Sequence, residues 1–324
     1  MKKKTSLKME DQIRLYRDML FYRRFEEAVQ MAYTKQKFSG FCHLHIGQEA
    51  VCAGIQACLN PEDYMISGYR SHTQAIAKGI PEDQVFAELF GKEGGCSKGK
   101  GGSMHMFSRE HRFLGGHGIV GGQAPLAAGV GFSIRYQTGS QIIVCYLGDA
   151  AMNQGQVFEA MNMAATWALP CLFVIENNRY GMGTDIRRTT SVDSLSKRAL
   201  AFDMKHGTID GMNLLSVYDG VKPVIEDMRK DHKPYLLEVM TYRFKGHSVS
   251  DPGTYRTKEE VASYQEKDPL IQLKNHLLQE AYASHEDFAL WEREVKDRVR
   301  KAEDAADRSP EPSMDQVWTH VFAP

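Results

Sequence analysis

The sequence is short of the features that mark several common kinds of protein. Its six cysteines, Cys42, Cys52, Cys58, Cys96, Cys145 and Cys171, are scattered, and no two stand at a zinc-finger spacing. Nothing in that scatter demands disulfides, so a reducing compartment fits. Cys145 and Cys171 lie inside apolar runs and read as small core residues. An excess of one charge is also lacking: 40 Lys and Arg against 41 Asp and Glu leave a formal net charge of -1. A nucleic-acid surface needs a basic excess, so no nucleic-acid partner is expected, although a small anion requires only a local positive site. No apolar run approaches the ~18 residues of a membrane span, and no membrane partner is expected. The start, MKKKTSLKMEDQ, has basic residues but no apolar stretch behind them. With Glu10 and Asp11 so near, it reads as neither a signal nor a transit peptide. Lys2, Lys3 and Lys4 are expected to be a solvated tail, and the protein cytoplasmic. Internal repeats and low-complexity segments are absent.

What is present is enough apolar material, 42% of 324 residues, for one large domain or two smaller ones. Residues 8–35 carry Leu15, Met19 and Tyr22 at helical spacing. Segment 36–125 is rich in glycine and holds His43, His45 and His72 and the run GGCSKGKGGSMHMF. It predicts little regular structure and a chain that wraps a site. Residues 141–147 (QIIVCYL) and 171–175 (CLFVI) are short apolar runs of the length of buried strands. Between them, 153–168 places Phe158, Met161 and Ala165 on one helical face, and Pro170 ends the pattern. That is a βαβ unit, with parallel strands and a right-handed crossover. Two weaker strands are expected near 213–217 and 235–242. Beyond 257 the pattern is helical and charged. Thr257 with Glu260 suggests a capping box, Asp268 with Pro269 a second helix start, and Phe288, Trp291, Val295 and Val299 the packed stripe of a third helix. The expected class is α/β, a mainly parallel sheet flanked by helices, with a C-terminal helical extension.

The strand ends carry the chemistry. The first run leads into Gly148-Asp149-Ala150-Ala151-Met152-Asn153, the second into Glu176-Asn177-Asn178-Arg179-Tyr180-Gly181. Neighbouring parallel strands put their carboxyl ends on one edge of a sheet, where open α/β sheets bind ligands. Asp149 and Asn178 should therefore meet in space. Either alone would be an ordinary cap or turn residue; together they offer a carboxylate and an amide oxygen, hard donors that suit Mg²⁺. Magnesium keeps substrate phosphate oxygens among its ligands, so a diphosphate completes such a site. A helix starting near Asn153 would aim free backbone N–H groups at it. Two other readings fit less well. GGCSKGKGG spaces Gly94, Gly99 and Lys100 as a P-loop does, but Gly101 stands where Ser or Thr is needed, and neither a strand before nor a helix after is expected. His43, His45 and His72 could suggest zinc, against which stand the oxygen donors elsewhere.

The stretch GDAAMNQGQVFEAMNMAATWALPCLFVIENNRYGMGT resembles the thiamine-diphosphate motif, which opens with Gly-Asp-Gly and closes with paired asparagines. Together with GFCHLHIGQEA, SGYRSH, GGCSKGKGGSMHMF, GGHGIVGGQ and YRFKGHSVSDPGTYRT, it makes the chain resemble alpha subunits of the thiamine-diphosphate-dependent 2-oxo acid dehydrogenases. The resemblance spans roughly residues 20–260. It implies the thiamine-diphosphate-binding fold, a cofactor domain over 1–256 with the helical segment 257–324 packed on it or on a partner chain, and two cofactors, thiamine diphosphate and Mg²⁺. It implies roles as well. Asp149, Asn178 and the backbone oxygen of Tyr180 hold the metal. Arg70, His247 and the backbone at Ala150 and Ala151 meet the diphosphate. Gly118 and Val120 contact the aminopyrimidine, and Ser108 matches a further cofactor position. His43 and Tyr69 line the reacting end, where His247 can donate to phosphate or to a reacting oxygen. The activating glutamate belongs to a beta subunit in this family, and Glu49 reads as structural. Two alpha and two beta chains are expected, passing an acyl group to a lipoyl domain of an acyltransferase component. The wording around Asn153–Glu159 and Asn178–Gly183 reads closest to members acting on pyruvate, ahead of those acting on acetoin or branched-chain 2-oxo acids. An inactive scaffold subunit would show itself by loss of Asp149 or Asn178, and both are present. One departure stands out: the motif's third position, normally glycine, is Ala150. With the rest intact, Ala150 is expected to have negative φ and to turn its Cβ away from the diphosphate.

Overall fold

The computed structural model describes residues 5–319 and 321–322; Lys2, Lys3 and Lys4, read as a solvated tail, lie outside them. In chain order the regular elements are α1 (Met9–Thr34), α2 (Glu49–Gln56), β1 (Tyr64–Gly68), α3 (His72–Ala77), α4 (Glu82–Leu89), β2 (Phe113–His117), α5 (Gln123–Tyr136), β3 (Ile143–Gly148), α6 (Gly155–Thr166) and β4 (Cys171–Asn177). A small hairpin, β5 (Tyr180–Gly181) and β6 (Thr184–Asp185), follows, then β7 (Lys205–Asp210), α7 (Leu214–Asp231), β8 (Tyr235–Met240), α8 (Lys258–Gln265), α9 (Pro269–Gln279) and α10 (His285–Arg308). Six strands form one sheet in the order β2-β1-β3-β4-β8-β7, parallel at every pairing. Between β1 and β3 the connections part, one toward β2 and the other toward β4. That is a topological switch point, where the crevice outside the strand ends takes ligands.

The continuous apolar runs of β3 and β4 follow from burial on both faces. Val144, Tyr146, Leu172 and Val174 pack with α1, α2 and α7, whereas Ile143, Cys145, Leu147, Cys171, Phe173 and Ile175 pack with α5 and α6. Each such side chain, fully buried, contributes about 1.5–3 kcal/mol. Leu273, Leu277, Phe288, Trp291, Val295 and Val299 of α9 and α10 join the first of these two cores. Buried Arg23 ties the layers, pairing with Glu49 at 2.5 Å and with Asp268 at 2.9 Å. No helix among the described residues is long and apolar enough to cross a membrane.

Four expectations change. Segment 36–125 contains three helices and two strands of the main sheet, where little regular structure was expected; its elements are 5 to 8 residues long, too short to show a period. Residues 213–217 begin a helix, not a strand. The Asn213 side chain accepts from the Ser216 N–H, and Leu214, Val217, Val221, Ile225 and Met228 are buried at helical spacing. The strand is Lys205–Asp210, an edge strand whose side chains are half-buried or exposed, so its sequence carries no apolar signal. The turn after β3 is a 3-10 helix over Ala150–Asn153, and α6 begins only at Gly155. At α8, Thr257 accepts from the Glu260 N–H, but the Glu260 carboxylate accepts from the hydroxyls of Tyr180 and Tyr242 instead of closing the box.

Candidate active site

The strand ends on the carboxyl edge converge on a cleft of about 330 Å³. Residues following β1 (Tyr69, Arg70), β2 (Val120), β3 (Asp149, Ala150, Ala151) and β4 (Asn178, Tyr180) line it together with His247. Nine of the expected site residues thus meet at the switch point. His43 packs its ring against Tyr69 (centroids 4.4 Å apart) and His247 (5.0 Å), so these three rings form one cluster. Gly118 lies in the same strand-end loop as Val120, with no side chain to offer. Ser108 is not brought to the cleft: it bridges Phe113 through its backbone, and its hydroxyl pairs with His111 Nδ1 at 2.9 Å.

Asp149 is 2% exposed, and its Oδ2 has no hydrogen-bond partner. Burial pushes its carboxyl up to about 6. Asn178 donates from Nδ2 to Gln48 Oε1 at 3.1 Å, while the Tyr180 N–H points at Asn178 Oδ1 from 3.4 Å. The Asn178 amide therefore has its nitrogen committed and its oxygen only weakly engaged. Arg179 between them is left-handed, φ 75°, and its N–H donates to Asn177 Oδ1, which shapes the turn. A buried carboxylate oxygen without a donor together with a weakly engaged amide oxygen is a donor set that fits a hard cation.

The positive side of the cleft is equally specific. Arg70 donates to the carbonyls of Leu44 and His247, the latter at 2.8 Å. Arg243, 1% exposed, donates from Nη2 to Met182 O at 2.6 Å and to the Tyr255 hydroxyl at 3.0 Å, while its Nε and Nη1 find no partner. Burial and the neighbouring Arg70 charge pull Arg243 down to about 10. The same two causes bring His43 to about 2 and His247 to about 4, so both rings are neutral near pH 7. Two guanidiniums with spare N–H groups fit an anion with several oxygens.

Ala150 is not among the residues of positive φ, as expected. Its methyl group faces the Cα of Gly181, where any added Cβ would collide with it. The alanine in the motif is thus matched by a glycine in the opposing turn.

The loop Lys245–Gly253 folds around Asp251, which accepts from the N–H groups of His247 (2.5 Å) and Gly253 (2.8 Å) and from the Tyr255 hydroxyl (2.8 Å). The glycine-rich run after α4 is an anion nest filled by the protein itself. Buried Glu88 accepts from the N–H groups of Ser97, Gly99, Gly101 and Gly102 at 2.7–3.0 Å, and Gly99 needs its φ of +72° to complete the ring. That is the physical reason why this stretch imitates a P-loop. Nor do the histidines converge: His45 pairs with Glu176 at 2.7 Å and His72 with Glu26 at 3.0 Å. Among the described residues no cluster of three His, Cys, Asp or Glu could hold a metal.

The sequence reading missed Arg243, Gln48, Glu176 and His117, of which the last three line the cleft. The signal for Arg243 and Glu176 was available, since both stand at or just beyond the carboxyl end of a strand. His117 ends β2, a strand that the sequence did not show, and Gln48 carries no such mark.

The family model described as dehydrogenase E1 component matches residues 17–315. The chain is 44% identical to the pyruvate dehydrogenase E1 component subunit alpha of Rickettsia bellii, over 97% of this chain and 96% of that protein. It is 44% identical to the protein of the same name from Rhizobium meliloti, over 97% and 90%. To the somatic, mitochondrial form of that subunit from Bos taurus it is 42% identical, over 98% and 81%.

Proposed function

The chain belongs to the dehydrogenase E1 component family, and from that premise we propose that it is the alpha subunit of a pyruvate dehydrogenase. It catalyses the oxidative decarboxylation of pyruvate and passes the acetyl group to a lipoyl domain. The family depends on thiamine diphosphate. When bound, that cofactor supplies the carbanion and the electron sink of the reaction. The observation that carries the reading is the meeting, at one switch point, of a buried carboxylate whose Oδ2 has no donor with the Arg70 guanidinium, which lacks a carboxylate partner, as does the neighbouring buried Arg243.

In this reading Asp149, Asn178 and the main-chain oxygen of Tyr180 hold Mg²⁺. Arg70, Arg243, His247 and the backbone at Ala150 and Ala151 bind the diphosphate. Gly118 and Val120 meet the aminopyrimidine. His43, Tyr69 and His247 close the reacting end, and the two neutral imidazoles, of His43 and His247, can each hold or give one proton at a developing oxygen. Their apolar edges keep water from the reacting carbon. Ser108 is retained as a cofactor contact only if the partner chain brings a ligand to it.

The chain offers the diphosphate half of a site, so two alpha and two beta chains are expected to complete it. A cytoplasmic location agrees with the bacterial relatives. The test is a coupled assay on pyruvate, acetoin and a branched-chain 2-oxo acid, run on the alpha chain alone and with its beta chain. Turnover of pyruvate in the two-subunit protein only is the expected result. Unaided decarboxylation by the alpha chain, or a preference for acetoin, would overturn the reading.

A further inference from the structure

We propose that Gln48 is a positioning residue: it holds the Asn178 amide with its oxygen toward the cation. The inference rests on the assignment of Asp149 and Asn178 to a cation. Gln48 immediately precedes α2 and is wholly buried. Its backbone is fixed on both sides, by donation to His45 O and by acceptance from the Val51 N–H. Its Oε1 accepts from Asn178 Nδ2 at 3.1 Å.

An asparagine amide is nearly symmetric in shape and opposite in charge at its two ends. One orientation offers a cation an oxygen; the other offers it two positive hydrogens and leaves the oxygen elsewhere. Nothing in the covalent structure of Asn178 chooses between them. The Gln48 oxygen does, because only the NH₂ group can donate to it. The Tyr180 N–H acts in the same sense, since at 3.4 Å from Oδ1 it is a donor that an NH₂ group could not face. That contact is long, and the Gln48 amide could itself turn over, so the two contacts orient Asn178 together: the Tyr180 N–H selects the sense and Gln48 holds it. The Gln48 Nε2 has no protein partner, and the residue lines the cleft. Its remaining hydrogens are therefore left for a ligand oxygen on the same wall. Outer partners of this kind hold a ligand's orientation, and their loss typically weakens metal binding about 10–100-fold.

The experiment titrates Mn²⁺, as a stand-in for Mg²⁺, into the complete two-subunit protein at saturating thiamine diphosphate, with calorimetry as readout. Gln48→Met keeps the volume and removes the acceptor; the expected loss of Mn²⁺ affinity is about 10–100-fold. Gln48→Glu keeps an acceptor oxygen in place and is expected to stay within a few-fold of the unaltered protein. The decisive arm is a double-mutant cycle with Asn178→Asp. Both ends of a carboxylate are oxygens, so orientation no longer matters, and adding Gln48→Met should then cost less than about 3-fold. Unchanged affinity in Gln48→Met would refute the proposal. So would an equal loss with and without Asn178→Asp, which would make Gln48 a packing residue. Should Gln48→Met fail to fold, a Gln48→Glu protein that folds but loses the ion would count against it just as directly. Failure of the underlying site shows differently: Asp149→Ala would then bind Mn²⁺ as tightly as the unaltered protein, and the inference would fall with it.

Discussion

Asp149 should make the cofactor-free protein less stable than it could be, and Asp149→Asn should reveal by how much. The carboxyl is 2% exposed, and burial raises it from 3.8 to about 6. A group whose folded value is raised stabilises below its unfolded value and loses that contribution as pH climbs through the folded one. Above pH 6 the folded state therefore holds a carboxylate it disfavours. A shift of this size corresponds to ~3 kcal/mol at pH 8 and to about half of that at pH 5. Asparagine keeps the shape and cannot ionise, so it should recover that free energy. For a chain of 324 residues the entropy of unfolding converts ~3 kcal/mol into roughly 4 °C of melting temperature. His43 and His247 act in the opposite sense: their lowered values cost stability as pH falls from 6.5 toward about 2 and about 4. They are common to both proteins, so they cancel in the comparison. The assay is thermal unfolding of the cofactor-free protein at pH 8 and pH 5, repeated with Mg²⁺ and thiamine diphosphate. Expected are a gain for Asp149→Asn at pH 8, a smaller one at pH 5, and a reversal of rank with cofactor, which only the unaltered protein binds. Equal gains at both pH values would refute the electrostatic argument, and a cofactor-induced rise in Asp149→Asn would remove Asp149 from the metal site.

Three further outcomes follow from particular contacts. Ala150→Gly should leave thiamine diphosphate affinity within a few-fold, whereas Gly181→Ala should weaken it because its Cβ meets the Ala150 methyl; calorimetry on the double variant should show recovery. Glu88→Gln places an NH₂ group among four N–H donors, and chemical unfolding should register a loss of roughly 3 kcal/mol. Asp251→Ala removes the acceptor for His247, Gly253 and Tyr255, and limited proteolysis within 245–253 should run about 10-fold faster; an unchanged rate would show that the loop is held elsewhere.

The central βαβ unit was legible because β3 and β4 are buried on both faces and so read as unbroken apolar runs. The meeting of Asp149 with Asn178 followed from parallel pairing alone. Edge strand β7 was not legible, since KHGTID has too little to bury. The apolar start of α7 passed for a strand because a short run has no period. At the site, Arg70 came from the family resemblance alone, whereas residue type and strand-end position found the carboxylate and the amide. They could not find Gln48, whose role lies in the orientation of a neighbour's amide and leaves no trace in spacing. Glu88 was invisible for a similar reason: the glycine pattern declares an anion nest without saying whose anion fills it.

The buried and half-buried arginines divide by the partners they meet. Arg23 meets two carboxylates, Glu49 and Asp268, and Arg229 meets Asp63. Half-buried Arg24 does the same with Glu27 and Glu292. Such pairing is what burial of a guanidinium ordinarily demands. Like half-buried Arg198 and Arg256, which bond only to carbonyls and an amide oxygen, half-buried Arg70 and buried Arg243 break the habit. Their hydrogen bonds among the described residues go to three carbonyls and a tyrosine hydroxyl, and no carboxylate pairs with either. Both are lowered by burial, which is the sign of a cation held at a cost. Beside them Asp149 is a carboxylate held at a cost, and it does not neutralise them by direct pairing. A magnesium diphosphate resolves both at once, its cation taking the carboxylate and its phosphate oxygens the guanidiniums. The strain of each group without a ligand is then part of the affinity for that ligand, which is why relieving it at Asp149 should stabilise the empty protein and abolish the loaded one.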